Sequence, residues 1–189
     1  MADFKVAIPF ILKYEGGYCW DKEDSGGPTN YGISLTFARD TKNLALLDID
    51  RDGDIDINDI KKLTKERAIE VYKKYFWDIV DLDSCPSNRK AFIFCDMITN
   101  HGKKGATKIV QRALNDCGYN LVVDGSYGPK TKAAFDHCNP DMFVEKAVAR
   151  RRAYYNAIVA NKPSQKVFLK GWLNRCNANL KDANSISDK

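Results

Sequence analysis

The sequence uses glutamate sparingly, so each position that carries one can be weighed on its own. Five glutamates occur among the 189 residues, against twenty aspartates. Glu15 follows an apolar run with helical spacing and precedes two glycines, which predicts a position in the last turn of a helix. The carbonyl groups at a helix C-terminus disfavour an ionised carboxylate because they carry partial negative charge. A carboxyl group held protonated in this way can act as a general acid. The alternative is a solvated glutamate beside an ordinary glycine cap.

A glycine-rich segment follows Glu15 and supplies further polar groups. Residues 16–32 contain five of the twelve glycines, and the stretch Ser25-Gly26-Gly27-Pro28 predicts the tight turn of a small β-hairpin. Cleavage of a glycosidic bond needs a protonated carboxyl for the leaving oxygen, and a second polar group that activates water or stabilises the oxocarbenium-like transition state. The candidate site comprises Glu15 and Asp24 as catalytic carboxylates, with Tyr18, Thr29, Asn30 and Tyr31 as substrate-binding residues.

The motifs KYEGGY and DSGGPTNYGIS resemble the signature of glycoside hydrolase family 108, which comprises N-acetylmuramidases of phages and bacteria, including secretion activator proteins. This resemblance implies that Glu15 is the catalytic acid. The hairpin is also similar to that of phage-type lysozymes, in which an aspartate follows the glutamate by nine residues, as Asp24 does here. Thr29 lies one residue short of the matching threonine. The resemblance implies a lysozyme-like, mainly α fold with one small β-hairpin, and hydrolysis of the β-1,4 bond between N-acetylmuramic acid and N-acetylglucosamine.

A second chemically distinctive segment is the twelve-residue stretch DIDRDGDIDIND, residues 48–59, which holds six aspartates. Numbered as a calcium loop of the EF-hand type, it places Gly53 at the sharp-turn position. The expected metal ligands are Asp48, Asp50, Asp52, Asp54 and Asp59. An aspartate at the last position makes the loop similar to those of dockerins. Because six neighbouring carboxylates repel one another, we expect a structural Ca²⁺ ion, with Mg²⁺ and a solvated acidic loop as the alternatives.

The remaining sequence predicts helices. One pattern runs from Ser87 to Thr99 and ends at Asn100-His101-Gly102, where either polar side chain faces a cleft or caps the helix. The later stretch GATKIVQRALNDCGYNLVVDGSYGPKTKAAF resembles a peptidoglycan-binding module. We therefore expect a lysozyme-like catalytic region over residues 1–100 and a helical, peptidoglycan-binding-like region over residues 101–189. The second region is alternatively a structural brace that completes the first.

Charge and composition indicate which kind of molecule the protein binds. Residues 1–100 carry a net charge of −4 and residues 101–189 one of +9, and the basic half suits an anionic polymer such as a cell wall. No nucleic-acid motif is present, and no stretch is long and apolar enough to cross a membrane. The start of the chain lacks the features of a signal peptide. We therefore expect cytoplasmic synthesis, access to the wall or periplasm through a holin or secretion machinery, and a monomeric protein.

Six cysteines without a CxxC pair indicate reduced, mostly buried thiols, and a disulfide formed after export stays open. The sequence as a whole predicts a peptidoglycan hydrolase that needs no cofactor for catalysis. Two alternatives stand beside it. A lytic transglycosylase uses a similar lone acid, and a wall-binding or secretion-accessory protein needs none.

Overall fold

The computed structural model describes residues 1–20 and 27–188. In this part of the chain the protein is mainly helical with one small antiparallel sheet, which confirms the predicted fold class. None of the described helices is both long and apolar enough for a membrane span. The helices are α1 (Phe4–Leu12), α2 (Leu35–Thr41), α3 (Leu44–Leu47), α4 (Ile57–Lys62), α5 (Lys65–Tyr72), α6 (Asn88–Asp116), α7 (Pro129–His137), α8 (Pro140–Asn161) and α9 (Lys166–Ser185), and the strands are β1 (Thr29–Asn30) and β2 (Ile33–Ser34).

The chain divides into two compact units. One consists of residues 8–75 and is here called the hairpin unit; the other consists of residues 1–7 and 76–189 and is called the bundle unit. The expected domain boundary at residue 100 lies two residues before Gly102, whose non-helical conformation interrupts α6. The division into a catalytic and a wall-binding region stays a prediction.

In the hairpin unit, a two-residue turn joins β1 to β2. Thr29 pairs with Ser34 and Asn30 with Ile33, which leaves Tyr31 and Gly32 as the turn residues. Both have positive φ, 48° and 75°, as a type I′ turn requires. The turn predicted at residues 25–28 falls partly on residues 25 and 26, which lie outside the described residues, and Cys19 and Thr29 on either side of it pair antiparallel.

Local capping explains where the next helices begin. The Ser34 hydroxyl accepts a hydrogen bond from Phe37 N at 3.1 Å and starts α2. The Thr64 hydroxyl does the same for Arg67 N at 3.2 Å and starts α5. The apolar face of α5 then buries Tyr72 completely.

The bundle unit is built on α6, α8 and α9. Gly102 has φ 64° and ψ 166° and kinks α6 at the point where the sequence predicts a helix end, but the helix resumes at once. Asp96 is fully buried and forms ion pairs with Arg151 at 2.6 Å and with Arg175 at 2.7 Å. Burial opposes ionisation of Asp96, but the two arginines outweigh it and lower its pKa. Four of the six cysteines are buried and all six are free thiols.

Candidate active site

Glu15 lies just beyond α1 and not in its last turn. The helix ends at Leu12, and the amides of Tyr14 and Glu15 then bond to the carbonyls of Ile11 and Leu12, both at 3.2 Å. Gly16 does not take the left-handed conformation expected of a helix cap. The expectation that a glycine cap places Glu15 at a helix end is therefore wrong, because a tight turn carries the chain onward.

The carboxyl group of Glu15 packs against the hairpin turn. A Cβ atom added to Gly32 would lie 2.5 Å from Glu15 Oε2 and 2.5 Å from the hydroxyl oxygen of Tyr72. The two oxygen atoms are therefore neighbours across Gly32. Only a glycine leaves this space empty and also adopts φ 75° without strain.

Tyr72 also contacts the hairpin turn. Its hydroxyl donates a hydrogen bond to the carbonyl oxygen of Tyr31 at 3.0 Å, across 41 residues of sequence. The sequence analysis did not identify Tyr72 as a site residue. The sequence indicates Tyr72 only through its position on the core face of α5, because a buried tyrosine hydroxyl needs a polar partner.

Backbone hydrogen bonds fix the segment after Glu15 to the hairpin. Tyr31 N donates to Gly16 O at 3.1 Å. Cys19 and Thr29 exchange two hydrogen bonds of 2.9 and 2.8 Å. Glu15 therefore leads into a strand-like segment that is anchored to β1 at two points.

The predicted substrate-binding residues occupy different environments. Tyr18 is exposed, whereas Thr29 and Tyr31 are half-buried. Asn30 is buried, and its amide donates to the carbonyls of Ile60 at 2.9 Å and Leu63 at 3.3 Å, so it ties β1 to α4 and the residues after it. Asp24 lies outside the described residues.

A second exposed aromatic residue, Trp20, follows Tyr18 in the chain. Trp20 is 45 % exposed, and Tyr18 is 40 % exposed two positions earlier.

In the aspartate loop, the carboxylates form two groups. The oxygens of Asp48, Asp50 and Asp52 come within 4.8 Å of one another, and so do those of Asp54, Asp56 and Asp59. The five predicted ligands therefore divide between two neighbouring groups in this structure. Partial desolvation and the charges of Asp52, Asp56 and Asp59 raise the pKa of Asp54.

Hydrogen bonds within the loop determine which oxygens remain for an ion. Asp59 accepts the amides of Ile49 and Asp56 at 2.6 and 2.7 Å. Asp48 accepts the amide of Gly53 at 3.0 Å. Asp50 Oδ1 is buried without a hydrogen-bond partner among the described residues. An unpaired carboxylate oxygen inside a group of three fits a hard cation, which carboxylates bind preferentially.

The polar pair before Gly102 lies within the bundle unit. The His101 ring contacts those of Tyr154 and Tyr155 at centroid distances of 5.0 and 5.2 Å. Burial, reinforced by the charge of Arg151, lowers the pKa of His101 to about 3. A neutral histidine adds no positive charge to the end of the helical segment before Gly102. The Asn100 amide donates to Asp96 O at 2.8 Å.

Residues 8–102 match the family model described as Glycosyl hydrolase 108, and residues 105–177 match the model described as Predicted Peptidoglycan domain. No curated protein matches the chain. A solved structure, that of Brucella abortus SagA, is similar with a TM-score of 0.73 and 26 % sequence identity, over 96 % of this chain and 94 % of that chain.

Proposed function

The chain belongs to the glycosyl hydrolase 108 family and is a glycoside hydrolase that acts on peptidoglycan, and we propose that it cleaves the β-1,4 bond between N-acetylmuramic acid and N-acetylglucosamine with Glu15 as the general acid. The observation that carries this proposal is the position of the Glu15 carboxyl against Gly32 and the Tyr72 hydroxyl. A catalytic acid must be held in one orientation, and this packing restricts the carboxyl.

In the proposed reaction, Glu15 donates its proton to the glycosidic oxygen as the bond to the leaving sugar breaks. The charge that develops on the remaining sugar resembles an oxocarbenium ion. Tyr72 does not reach the substrate in this proposal. It acts as a positioning residue, because its bond to the Tyr31 carbonyl fixes the turn against which Glu15 packs.

The second catalytic group in this proposal is Asp24, which would activate water or stabilise the positive charge. Its spacing of nine residues from Glu15 supports this role. Tyr18, Thr29 and Tyr31 would line the sugar-binding surface. Asn30 would act indirectly, because its amide is engaged with the carbonyls of Ile60 and Leu63.

The test compares wild type with Glu15→Gln on purified sacculi, with release of reducing ends as the readout. The matched control is Glu66→Gln, an exposed glutamate in the first turn of α5. Loss of the acid should slow hydrolysis by about 10²–10⁴-fold, whereas the control should keep the wild-type rate.

Two results would contradict the proposal. If Glu15→Gln keeps a rate within a few-fold of wild type, another residue supplies the proton. If mass spectrometry of the wild-type products finds 1,6-anhydromuramyl ends in place of reducing ends, the enzyme is a lytic transglycosylase.

We also propose that the aspartate loop holds a structural Ca²⁺ ion. The ligands would be Asp48, Asp50, Asp52, Asp54 and Asp59. Two observations support the fit: the unpaired Asp50 Oδ1, and Gly53, whose φ of 99° provides the sharp turn of such loops. The ion would offset the mutual repulsion of the carboxylates and take no part in the reaction.

The site of action follows from the substrate. We propose that the enzyme works as a monomer at the cell wall and reaches it through a holin or a secretion machinery. Sedimentation of the purified protein tests the first point, and the location of activity before and after lysis tests the second.

A further inference from the structure

One buried side chain forms hydrogen bonds with the loop between α6 and α7, residues 118–128. Gln111 is 1 % exposed. Its Nε2 donates to Asp124 Oδ1 at 2.8 Å and to Ser126 O at 3.1 Å, and its Oε1 accepts Gly125 N at 2.9 Å. One amide group therefore fixes three consecutive parts of the loop.

Further contacts make the loop rigid along its length. The side chain of Asn115 exchanges two hydrogen bonds with the backbone of Leu121, at 2.9 and 2.7 Å. Gly125 has φ 81° and packs so closely on α6 that an added Cβ would lie 2.9 Å from Lys104 O. A surface loop with this many internal anchors has little conformational freedom left to lose when it binds a ligand.

Beside this loop lies a pocket of about 490 Å³. Its apolar wall is formed by Leu121, Val122 and Pro129, and Lys130 also lines it. Val122 is 79 % exposed, although it is a β-branched apolar residue on a rigid loop. A pocket of this size with an apolar wall and a few polar groups is typical of a ligand site.

The charges around the pocket define the chemistry of the occupant. Lys130 and Asp124 both line it, so the pocket offers one positive and one negative side chain. A ligand that fits the apolar wall and these two charges has small apolar groups and ionised groups of both signs. The stem peptide of peptidoglycan has both, with alanine methyl groups, carboxylates and the amino group of its diamino acid, whereas unsubstituted N-acetylglucosamine chains are neutral.

We propose that the pocket formed by the 118–128 loop and the start of α7 binds the stem peptide of peptidoglycan. The proposal rests on the proposed function in that peptidoglycan is the substrate. It deepens that function by assigning peptide recognition to the region that matches a peptidoglycan domain. Hydrolysis itself does not enter the argument.

The test measures binding by calorimetry with the inactive Glu15→Gln protein. The probes are a soluble disaccharide-tetrapeptide and an N-acetylglucosamine tetramer that lacks a peptide. Val122→Asp places a negative charge at the pocket and should lower the affinity for the peptide probe by about tenfold or more. Val167→Asp is the matched control, because Val167 is 77 % exposed on α9 and should leave binding unchanged.

Equal affinities of the two aspartate variants for the peptide probe would overturn the proposal. So would a Val122→Asp variant that binds both probes more weakly, because the pocket would then recognise sugar and not peptide. Both variants should melt at the same temperature, since neither side chain is buried. If the wild-type protein binds the peptide probe but does not hydrolyse sacculi, only the catalytic proposal is disproved.

Discussion

Substitution of Gly32 by alanine should disturb both stability and catalysis, because two independent costs meet at this residue. A side chain at φ 75° costs about 1–2 kcal/mol of unfolding free energy. The new methyl group would also lie 2.5 Å from Glu15 Oε2 and from the Tyr72 hydroxyl, and such overpacking costs about 1–3 kcal/mol. The combined loss of about 2–5 kcal/mol should lower the melting temperature by about 4–20 °C.

The effect on catalysis follows from which group has to move. Gly32 is part of a turn anchored by hydrogen bonds, so we expect the end of the Glu15 side chain to be displaced. A shift of about 1 Å in a catalytic group can cost about 10²-fold in rate. We therefore expect the folded variant to hydrolyse sacculi about 10²-fold more slowly, measured well below its melting temperature.

Two glycine-to-alanine controls separate these effects. Gly16 adjoins Glu15, has no atom within 4 Å of an added Cβ and does not have a positive φ, so its replacement should change neither quantity. Gly118 has φ 97° and the same open space, so it reports the backbone cost alone. If Gly32→Ala loses no more stability than Gly118→Ala and retains full activity, the Glu15 carboxyl is not held at Gly32 and the reasoning fails.

Two other predictions concern the aspartate loop and the buried ion pairs. Excess chelator should lower the melting temperature of the wild type by about 5–11 °C, the effect expected if calcium is present at about 100 times its dissociation constant. Chelator should barely change the melting temperature of the Asp50→Asn variant. An unchanged melting curve of the wild type in chelator would eliminate the site. Asp96→Asn should cost about 3–5 kcal/mol of unfolding free energy, because it leaves the buried Arg151 and the half-buried Arg175 without their counter-charge. Since the folded-state pKa of Asp96 is lowered, its contribution is complete above the unfolded pKa and is lost as pH falls through the folded value. Denaturant unfolding should therefore show a larger loss from pH 5 to about pH 2 in the wild type than in Asp96→Asn, and equal losses would refute the assignment.

Local signals in the sequence predicted local structure well. Ser34 and Thr64 are residue types that favour a helix N-cap, and in the structure each caps the helix that follows it. The surroundings of Glu15 did not follow from the sequence, because they depend on Tyr72, a residue far along the chain that only folding brings near. The turn at Tyr31-Gly32 was not predicted, since a tyrosine rarely takes the first position of a type I′ turn.

The aspartate loop shows the same limit at shorter range. Spacing alone aligns five ligands around one ion, but it takes no account of competing acceptors. In the structure Asp59 accepts backbone amides with both oxygens, which a pattern of residue types does not reveal. The calcium site therefore stays a prediction, with Asp50 as its best-supported ligand.

The ion pairs of Asp96 bear on how this protein can be dissected. Asp96 belongs to the stretch that matches the hydrolase family, whereas Arg151 and Arg175 belong to the stretch that matches the peptidoglycan domain. A chain truncated at Gly102 would end in the middle of α6 and would contain Asp96 without Arg151 or Arg175. The two matched stretches are thus not independent domains joined by a flexible linker. Domain shuffling or recombinant truncation at this point would divide a single hydrophobic core.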